Sequence, residues 1–208
     1  MHSRKVFILS MIEFTRVNTL MNTYKLMITV FIKIINHFSQ KVYNDIIDSL
    51  QFHQLKCPCG CSGMLIRHGS YNRTLKFQGE SLRLSILRLK CKSCGHTHAI
   101  LPSAVVPYSQ IPLKDQQDIL AASTQGESTE PVMNCNPLID ENNLKYLLRQ
   151  YRKHWKERLS SIGVTLSQEL VTPCFSHFSR QFMQMKKTPN FLFGATHITL
   201  PDICSGTG

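Results

Sequence analysis

The spacing of apolar residues predicts a helix followed by a small sheet in the first half of the chain. Over residues 34–50, apolar residues recur every three or four positions, which is typical of an amphipathic helix. From residue 64 onward, three strand-like runs are separated by a break at Gly69 and by a turn at residues 78–80. The third run alternates apolar and polar residues until Leu87, where we expect a bulge or a change of buried face.

The second half of the chain is helical by the same criterion. Pro102, Pro107 and Pro112 lie at five-residue intervals and predict a stiff, extended connector, because proline fixes its own φ and restricts the residue before it. Helices are then predicted over residues 113–123 and 127–133, from Asp140 to Gly163, and over residues 166–187.

This order of elements predicts an α+β protein, in which a small antiparallel ribbon precedes an all-α, helix-turn-helix-like domain. Cysteine clusters at residues 57–61 and 91–94, at the two ends of the ribbon, indicate that it is a zinc ribbon. The predicted divisions are a poorly defined N-terminal extension at 1–33, a leading helix plus ribbon at 34–101, a proline-rich linker at 102–112, a helical domain at 113–187 and a flexible tail at 188–208.

Two cysteine clusters carry the strongest chemical signal. They lie about thirty residues apart on turn-forming residues, and the second has the Cys-x₂-Cys spacing of a zinc knuckle. Pairs of thiolates on such turns suit a closed tetrahedral zinc site, so we expect one structural Zn²⁺ per chain. The expected ligands are Cys57, Cys59, Cys91 and Cys94, with Cys61 as the alternative in the first cluster.

The remaining cysteines and the nearby histidines are weaker candidates. Cys135, Cys174 and Cys204 are isolated and are predicted to be small core residues. The histidines near the clusters could bind metal or donate to phosphate, but thiolates are the expected ligands; these residues are His68, His96 and His98.

The charge of the chain points to a polyanionic partner. The net charge is +11, and residues 51–112 hold eight Lys or Arg against one acid. Residues 113–139 are acidic, whereas residues 140–160 are again basic, with six cations against three acids. Two basic blocks that coincide with the motifs favour nucleic acid over a merely soluble basic protein.

We expect the basic residues of the ribbon to contact DNA phosphates and those of the third helix to reach base edges in the major groove. The candidates in the ribbon are Arg67, Arg73, Lys76, Arg83 and Arg88. The candidates in the helix are Lys145, Arg149, Arg152, Lys153 and Lys156.

Membrane insertion and catalysis are disfavoured by the sequence. The apolar run at residues 26–32 is bracketed by lysines and is far shorter than the roughly twenty residues that a spanning helix needs. We therefore expect a cytoplasmic protein. With thirteen acidic residues and no run of buried strands after residue 113, the chain lacks the converging carboxylates of a metal-dependent nuclease, and we expect a non-enzyme with no small-molecule substrate.

Three stretches resemble a known group of bacterial proteins: Cys57-Pro-Cys-Gly60, residues 65–73 (LIRHGSYNR) and residues 91–103 (CKSCGHTHAILPS). They look like the zinc-ribbon head of proteins encoded by insertion elements, which also occurs at the front of some transposases. The resemblance is strongest to a short stand-alone family, described as a domain of unknown function, that lacks the catalytic domain. It spans roughly residues 40–193, where residues 150–155 and 180–184 look like later motifs of that family.

The resemblance implies a mobile-element origin, metal binding by the two cysteine clusters and a role in DNA binding. The expected function is therefore a zinc-dependent DNA-binding protein that recognises insertion-element ends or assists a separate transposase. The alternatives are a zinc-ribbon adaptor that binds a transposase or a polymerase, and the remnant of a truncated transposase.

Overall fold

A computed structural model of the protein describes residues 27–32, 38–57, 60, 63–178 and 180–184. Within these ranges the chain forms a four-stranded sheet and six α-helices, which confirms the α+β class. The strands are β1 (Ile28–Val30), β2 (Leu65–Phe77), β3 (Glu80–Cys91) and β4 (Thr97–Pro102). The helices are α1 (Gln40–Asp48), α2 (Leu113–Gln125), α3 (Glu130–Cys135), α4 (Glu141–His154), α5 (Lys156–Ser161) and α6 (Val171–Phe178).

The sheet has the order β1-β4-β3-β2. β2 and β3 are antiparallel, as are β3 and β4, whereas β1 pairs with β4 in parallel, with Ile28 opposite Ile100. β1 lies inside the stretch that the sequence indicated as an N-terminal extension. The sequence analysis also missed β4, which directly follows the second cysteine cluster.

The β2–β3 hairpin shows how local sequence sets the register. Its two-residue turn consists of Gln78 and Gly79, both with positive φ (50° and 79°), as a type I′ turn requires. β2 is continuous through Gly69, and the register shifts by one residue between Arg67 and Ser70, next to the predicted irregularity at Leu87. The buried residues of β3 change phase across this point, which confirms the predicted switch of buried face.

Helix α1 covers the buried face of the sheet. Ser39 caps it by accepting a hydrogen bond from the Val42 N–H, and its apolar side enters the first hydrophobic core. The Tyr43 hydroxyl accepts from the Leu87 N–H at 2.8 Å and donates to the Ile100 carbonyl at 3.1 Å. Tyr43 thus bridges β3 and β4 beyond the last pair in their ladder, which joins Arg88 and Ala99.

The helices enclose a second core around Trp155, which is 1% exposed and packs edge-on against Phe182 with their ring centroids 5.2 Å apart. Helix α2 agrees with its prediction and ends at Gly126, which has a positive φ. Asp140 caps α4 by accepting from the Asn143 N–H, as predicted. The predicted helix from Asp140 to Gly163 is instead divided at Trp155, whose φ of −123° is not helical.

Two other helix predictions differ from the structure. The second helix after the prolines begins at Glu130 rather than at residue 127, because Pro131 is tolerated only in a first turn. The last helix covers only Val171–Phe178 of the predicted 166–187, and residues 185–208 lie outside the described residues.

Of the predicted linker at 102–112, Pro102 ends β4 and residues 103–112 are packed between the two cores. Val105 belongs to the first core and Val106 to the second, and both are buried. The Lys76 N–H donates to the Gln110 carbonyl at 2.8 Å, and the Gln181 amide donates to the Ser103 carbonyl at 2.6 Å. These contacts attach the segment to the sheet and to the end of the described chain. None of the helices described here is long and apolar enough to cross a membrane.

Candidate metal centre and basic helix face

The second cysteine cluster forms a tight turn between β3 and β4. The Gly95 N–H donates to the Cys91 carbonyl at 2.9 Å, and the Cys91 N–H donates to the His96 carbonyl at 2.9 Å. Gly95 has a φ of +73°, a conformation that glycine adopts without steric cost. In the first cluster, Gly60 plays the same part, since its N–H donates to the Cys57 carbonyl at 2.8 Å and its φ is +94°. Both turns direct sulfur toward one point.

Three side chains meet there. The sulfur of Cys57 lies 3.7 Å from the sulfur of Cys94 and 3.3 Å from Nε2 of His98. All three donor atoms lie within 4.8 Å of one another, close enough to share a metal ion. With Zn–S and Zn–N distances of about 2.3 and 2.0–2.1 Å, a tetrahedral ion would separate two sulfurs by about 3.8 Å and a sulfur and a nitrogen by about 3.6 Å. The observed spacings therefore fit a tetrahedral site.

Cys91 lies beside this trio and is fully buried. A backbone hydrogen bond from Cys94 lowers the pKa of the Cys91 thiol to about 7, against burial, which raises it, and contacts with the side chains of Cys94 and Cys57 act in the same lowering direction. A lowered thiol pKa increases the fraction of thiolate, the form that binds metal. The centre therefore brings two sulfurs and one imidazole close enough to share an ion, and the sulfur of Cys91 lies nearby.

The structure places the predicted ligands as follows. Cys57 and Cys94 come together, and Cys91 lies next to them. Cys59 and the alternative Cys61 fall outside the described residues, so the thiolate expected from either of them stays a prediction.

His98 is the member of the cluster that the sequence analysis did not select as a ligand. It pairs with Leu89 across the β3–β4 ladder and, like Leu89 and Ile100, points to the buried side of the sheet. His68 and His96 are exposed. The sequence contains one indication of this position. His98 and Ile100 lie two residues apart, so on a strand their side chains point to the same face, but β4 had not been predicted as a strand.

The isolated cysteines divide between core and surface. Cys174 is buried in the second core, as expected, and burial raises the pKa of its thiol to about 12. Cys135, at the end of α3, is exposed, so its prediction as a core residue was wrong. Cys204 lies outside the described residues.

The basic side of α4 is open to solvent. Lys145, Arg149, Arg152 and Lys153 are exposed and surround one shallow depression, together with the partly buried Leu148. The opposite side of the helix buries Leu147 and Tyr151 in the second core, so the helix is fixed while its cations face outward. Lys156 is also exposed but belongs to α5, beyond the break at Trp155.

Lys145 and Arg149 have partners on the same helix. Lys145 forms an exposed ion pair with Glu141 at 2.9 Å, and the Arg149 guanidinium lies 5.5 Å from the centre of the Tyr146 ring. Exposed contacts of this kind contribute at most about 1 kcal/mol, so they oppose the binding of an anion only weakly. The face is therefore available to an anion.

The five basic residues of the sheet that were predicted to contact DNA differ in their exposure and in their partners. Arg83 and Arg67 are exposed, although Arg67 also reaches Asp48 at 3.4 Å. Arg88 is partly buried and donates to the Ser70 carbonyl at 3.3 Å.

Arg73 and Lys76 direct their donors into the fold. The Arg73 guanidinium donates to the carbonyls of Val106 and Ser109, and burial lowers its pKa. The Lys76 ammonium donates to the Leu138 carbonyl at 2.7 Å and to Oδ1 of Asn143 at 2.6 Å. Arg73 thus attaches the sheet to the segment between β4 and α2, and Lys76 attaches it to the start of α4. The interface proposed below does not include either residue.

Residues 57–135 match the model of a protein family. That family is described as a domain of unknown function, DUF6431. The match begins at Cys57, covers β2, β3, β4, α2 and α3, and ends before α4; β1 lies outside it. No curated protein and no solved structure matches the chain.

Proposed function

We propose that this protein is a zinc-dependent DNA-binding protein in which a metal-stabilised sheet supports a basic helix. One structural Zn²⁺ is bound by Cys57, Cys91, Cys94 and His98, and the exposed side of α4 contacts DNA. The role of the metal is structural, because four protein ligands close the coordination shell and leave no position for a substrate.

The donor set favours zinc over other ions. Thiolate and imidazole ligands suit zinc, whereas magnesium and calcium prefer oxygen ligands. Cys57 precedes β2, Cys91 is the last residue of β3, Cys94 lies in the turn that follows, and His98 lies in β4. One ion therefore links the ends of three strands. Metal binding of this kind contributes directly to folding free energy, on the order of 10 kcal/mol in isolated zinc fingers.

The observation that carries the DNA-binding proposal is the four-cation face of α4. Its cations surround one depression on a helix whose other side is buried, which is the arrangement of a helix that enters a major groove. In this proposal α2, α3 and α4 act as a helix-turn-helix-like unit, with α4 as the recognition helix. Exposed cations of the sheet, such as Arg83, add phosphate contacts without sequence preference.

The resemblance of both cysteine clusters to the zinc-ribbon head of insertion-element proteins supports a role at the ends of such elements, where the protein recognises DNA by itself or beside a separate transposase. The proposal gives the chain no catalytic role, in keeping with its few carboxylates.

The direct test measures binding to an element-end duplex and to a random duplex by fluorescence anisotropy. The double variant Arg149→Ala/Arg152→Ala should lose discrimination between the duplexes, since each good base contact is worth about 1–3 kcal/mol. A charge-matched control, Lys41→Ala/Lys56→Ala, removes two exposed cations outside α4 and should keep discrimination.

Salt dependence and metal removal complete the test. Native affinity should fall steeply between about 50 and 200 mM salt if several phosphates are contacted. Chelation should abolish binding if the metal supports the fold. Unchanged discrimination in the α4 variant would show that α4 is not the recognition helix, and the absence of binding to either duplex would overturn the proposal as a whole.

An adaptor role is the second candidate, and one observation favours it. Met64 and Ile66 are 36% and 41% exposed, and the Met64 carbonyl accepts from the N–H of Lys92, next to the metal centre. Apolar side chains beside a knuckle could contact a transposase or a polymerase. A protein interface of this kind would be far less sensitive to salt than DNA binding, so the same titration separates the two roles.

A further inference from the structure

The four cations on the exposed side of α4 differ in what already holds them. Lys145 is paired with Glu141 at 2.9 Å, so part of its charge is matched within the helix. Arg149 lies over an aromatic ring of the same helix. Neither Arg152 nor Lys153 has an ion pair, a hydrogen bond or a ring contact in the described part of the chain. The four are therefore not equivalent candidates for reading a base.

The ring beneath Arg149 belongs to Tyr146. The two residues have the i, i+3 spacing that brings side chains of one helix together. The central carbon of the guanidinium lies 5.5 Å from the centre of the ring, within the range of a cation–π contact. Tyr146 is 46% exposed, whereas the buried side of α4 consists of Leu147 and Tyr151. The contact therefore lies on the solvent side of the helix, beside the depression that Arg149 lines.

A contact of this kind restrains an arginine without using its hydrogen-bond donors. The aromatic ring attracts the guanidinium electrostatically, and the N–H groups, which lie in the guanidinium plane, stay available to other acceptors. Arg149 donates no hydrogen bond within the described residues. An ion pair such as that between Lys145 and Glu141 instead directs the donors of the cation at a carboxylate. Arg149 is thus held by its neighbour and still able to donate.

A restrained guanidinium suits one base in particular. Two of its donors match O6 and N7 of guanine in the major groove, whereas the ammonium of lysine lacks a fixed fork. A side chain that is held before binding also loses less conformational entropy when it binds. Arg152 has the fork without the ring, and Lys145 and Lys153 lack the fork. Among the four cations of this face, Arg149 alone combines both properties.

We propose that Tyr146 is a positioning residue that orients Arg149 to read one guanine in the major groove. This inference rests on the DNA-binding function proposed above and adds which cation reads a base, which base it reads and what holds it in place. Tyr146 contacts the arginine and not the base. Arg152 and Lys153 contribute phosphate contacts, which need no fixed orientation.

The test replaces the guanines of the element-end duplex one at a time by 7-deazaguanine, which lacks the N7 acceptor but keeps O6 and normal base pairing. Affinity is measured by fluorescence anisotropy at one salt concentration. Tyr146→Phe keeps the ring, and Tyr146→Leu keeps an apolar side chain without it. Arg149→Lys keeps the charge without the planar fork. Tyr146 and Arg149 are both exposed, so all three variants should melt at the native temperature.

We expect one guanine whose replacement weakens binding of the native protein by about 5- to 150-fold, the range for a well-formed bidentate contact. Arg149→Lys should bind both duplexes equally at that position. Tyr146→Leu should bind the unmodified duplex about 2- to 12-fold more weakly, the cost of ordering one long side chain on binding. Its sensitivity to 7-deazaguanine should fall by the same factor, because the ordered contact no longer forms with the modified base. Tyr146→Phe should retain native affinity and native sensitivity.

Several results would overturn the inference. Native affinity in Tyr146→Leu, or an equal loss for every duplex, would show that the ring does not act through a guanine contact. A loss in Tyr146→Phe as large as that in Tyr146→Leu would assign the role to the hydroxyl, and a lower melting temperature in Tyr146→Leu would assign the ring to packing. Persistent sensitivity in Arg149→Lys would mean that another residue reads the base.

The native protein separates failure of this inference from failure of the proposed function. Native protein that prefers the element-end duplex to a random duplex, yet tolerates 7-deazaguanine at every position, would overturn this inference alone. Native protein that binds neither duplex would overturn the proposed function as well.

Discussion

The sharpest prediction concerns His98, which links the metal centre to β4. His98→Ala removes one of four proposed ligands while leaving the three cysteines in place. Loss of a group that only orients a ligand typically costs 10- to 100-fold in metal affinity, so loss of a direct ligand should cost at least about 100-fold. When metal saturates the native protein, a 100-fold loss corresponds to about 2.7 kcal/mol of stability. For a chain of this size, that is a fall of about 5–10 °C in the melting temperature.

The assay is thermal unfolding with zinc and with excess chelator, combined with a colorimetric count of bound zinc. In excess chelator, the difference in melting temperature between native protein and His98→Ala measures the cost of the cavity that the variant leaves in the core. The additional difference that appears with zinc measures the loss of metal binding. His96→Ala is the matched control, because His96 is exposed two residues away and contributes its backbone carbonyl to the turn. His98→Cys restores a donor and should recover zinc. If His98→Ala retains one zinc at native affinity and the native response to chelator, His98 is not a ligand.

Three further predictions concern buried polar side chains that connect one secondary-structure element to another. Asn136→Ala should destabilise the protein by about 2–4 kcal/mol in urea unfolding, since the buried amide bonds to the backbone of the β2–β3 hairpin and to Asp115, whereas Asn134→Ala, an exposed neighbour, should change little. Tyr43→Phe should cost about 1–3 kcal/mol, because the Leu87 N–H loses its acceptor and Ile100 loses its donor. Burial raises the pKa of the Asp115 carboxyl, so the contribution of Asp115 to stability should fall as the pH rises from about 4 through its folded pKa. Asp115→Asn should remove this decline. Urea unfolding at several pH values measures it, and a parallel change in native protein and variant would contradict the prediction.

Local patterns were predicted well, because their causes are local. The β2–β3 turn follows from Gly79, the end of α2 from Gly126 and the start of α4 from Asp140, each within a few residues of the feature it determines. The slip in alternation at Leu87 indicated the switch of buried face for the same reason, since strand side chains alternate with a period of two.

Features that depend on distant segments were missed. β1 has three residues and pairs with β4 some seventy positions later, so no local signal marks it as a strand. Trp155 lies on the predicted apolar stripe, yet packing against Phe182 accompanies a break in the helix at that residue. The lengths and ends of elements were the least predictable part, because tertiary contacts decide where a helix stops.

The sequence by itself determined which residue types are present and where they are concentrated: cysteines on two turns, cations in two blocks, and an apolar stripe along α4. Only the tertiary structure decided which of them meet. It brought His98 to Cys57 and Cys94, and it turned the cations of α4 outward while burying Arg73 against backbone carbonyls. The physical reason is that a side chain's type sets what it can bind, whereas its partner is chosen by the packing of segments far apart in the chain, and that packing is a property of the whole fold.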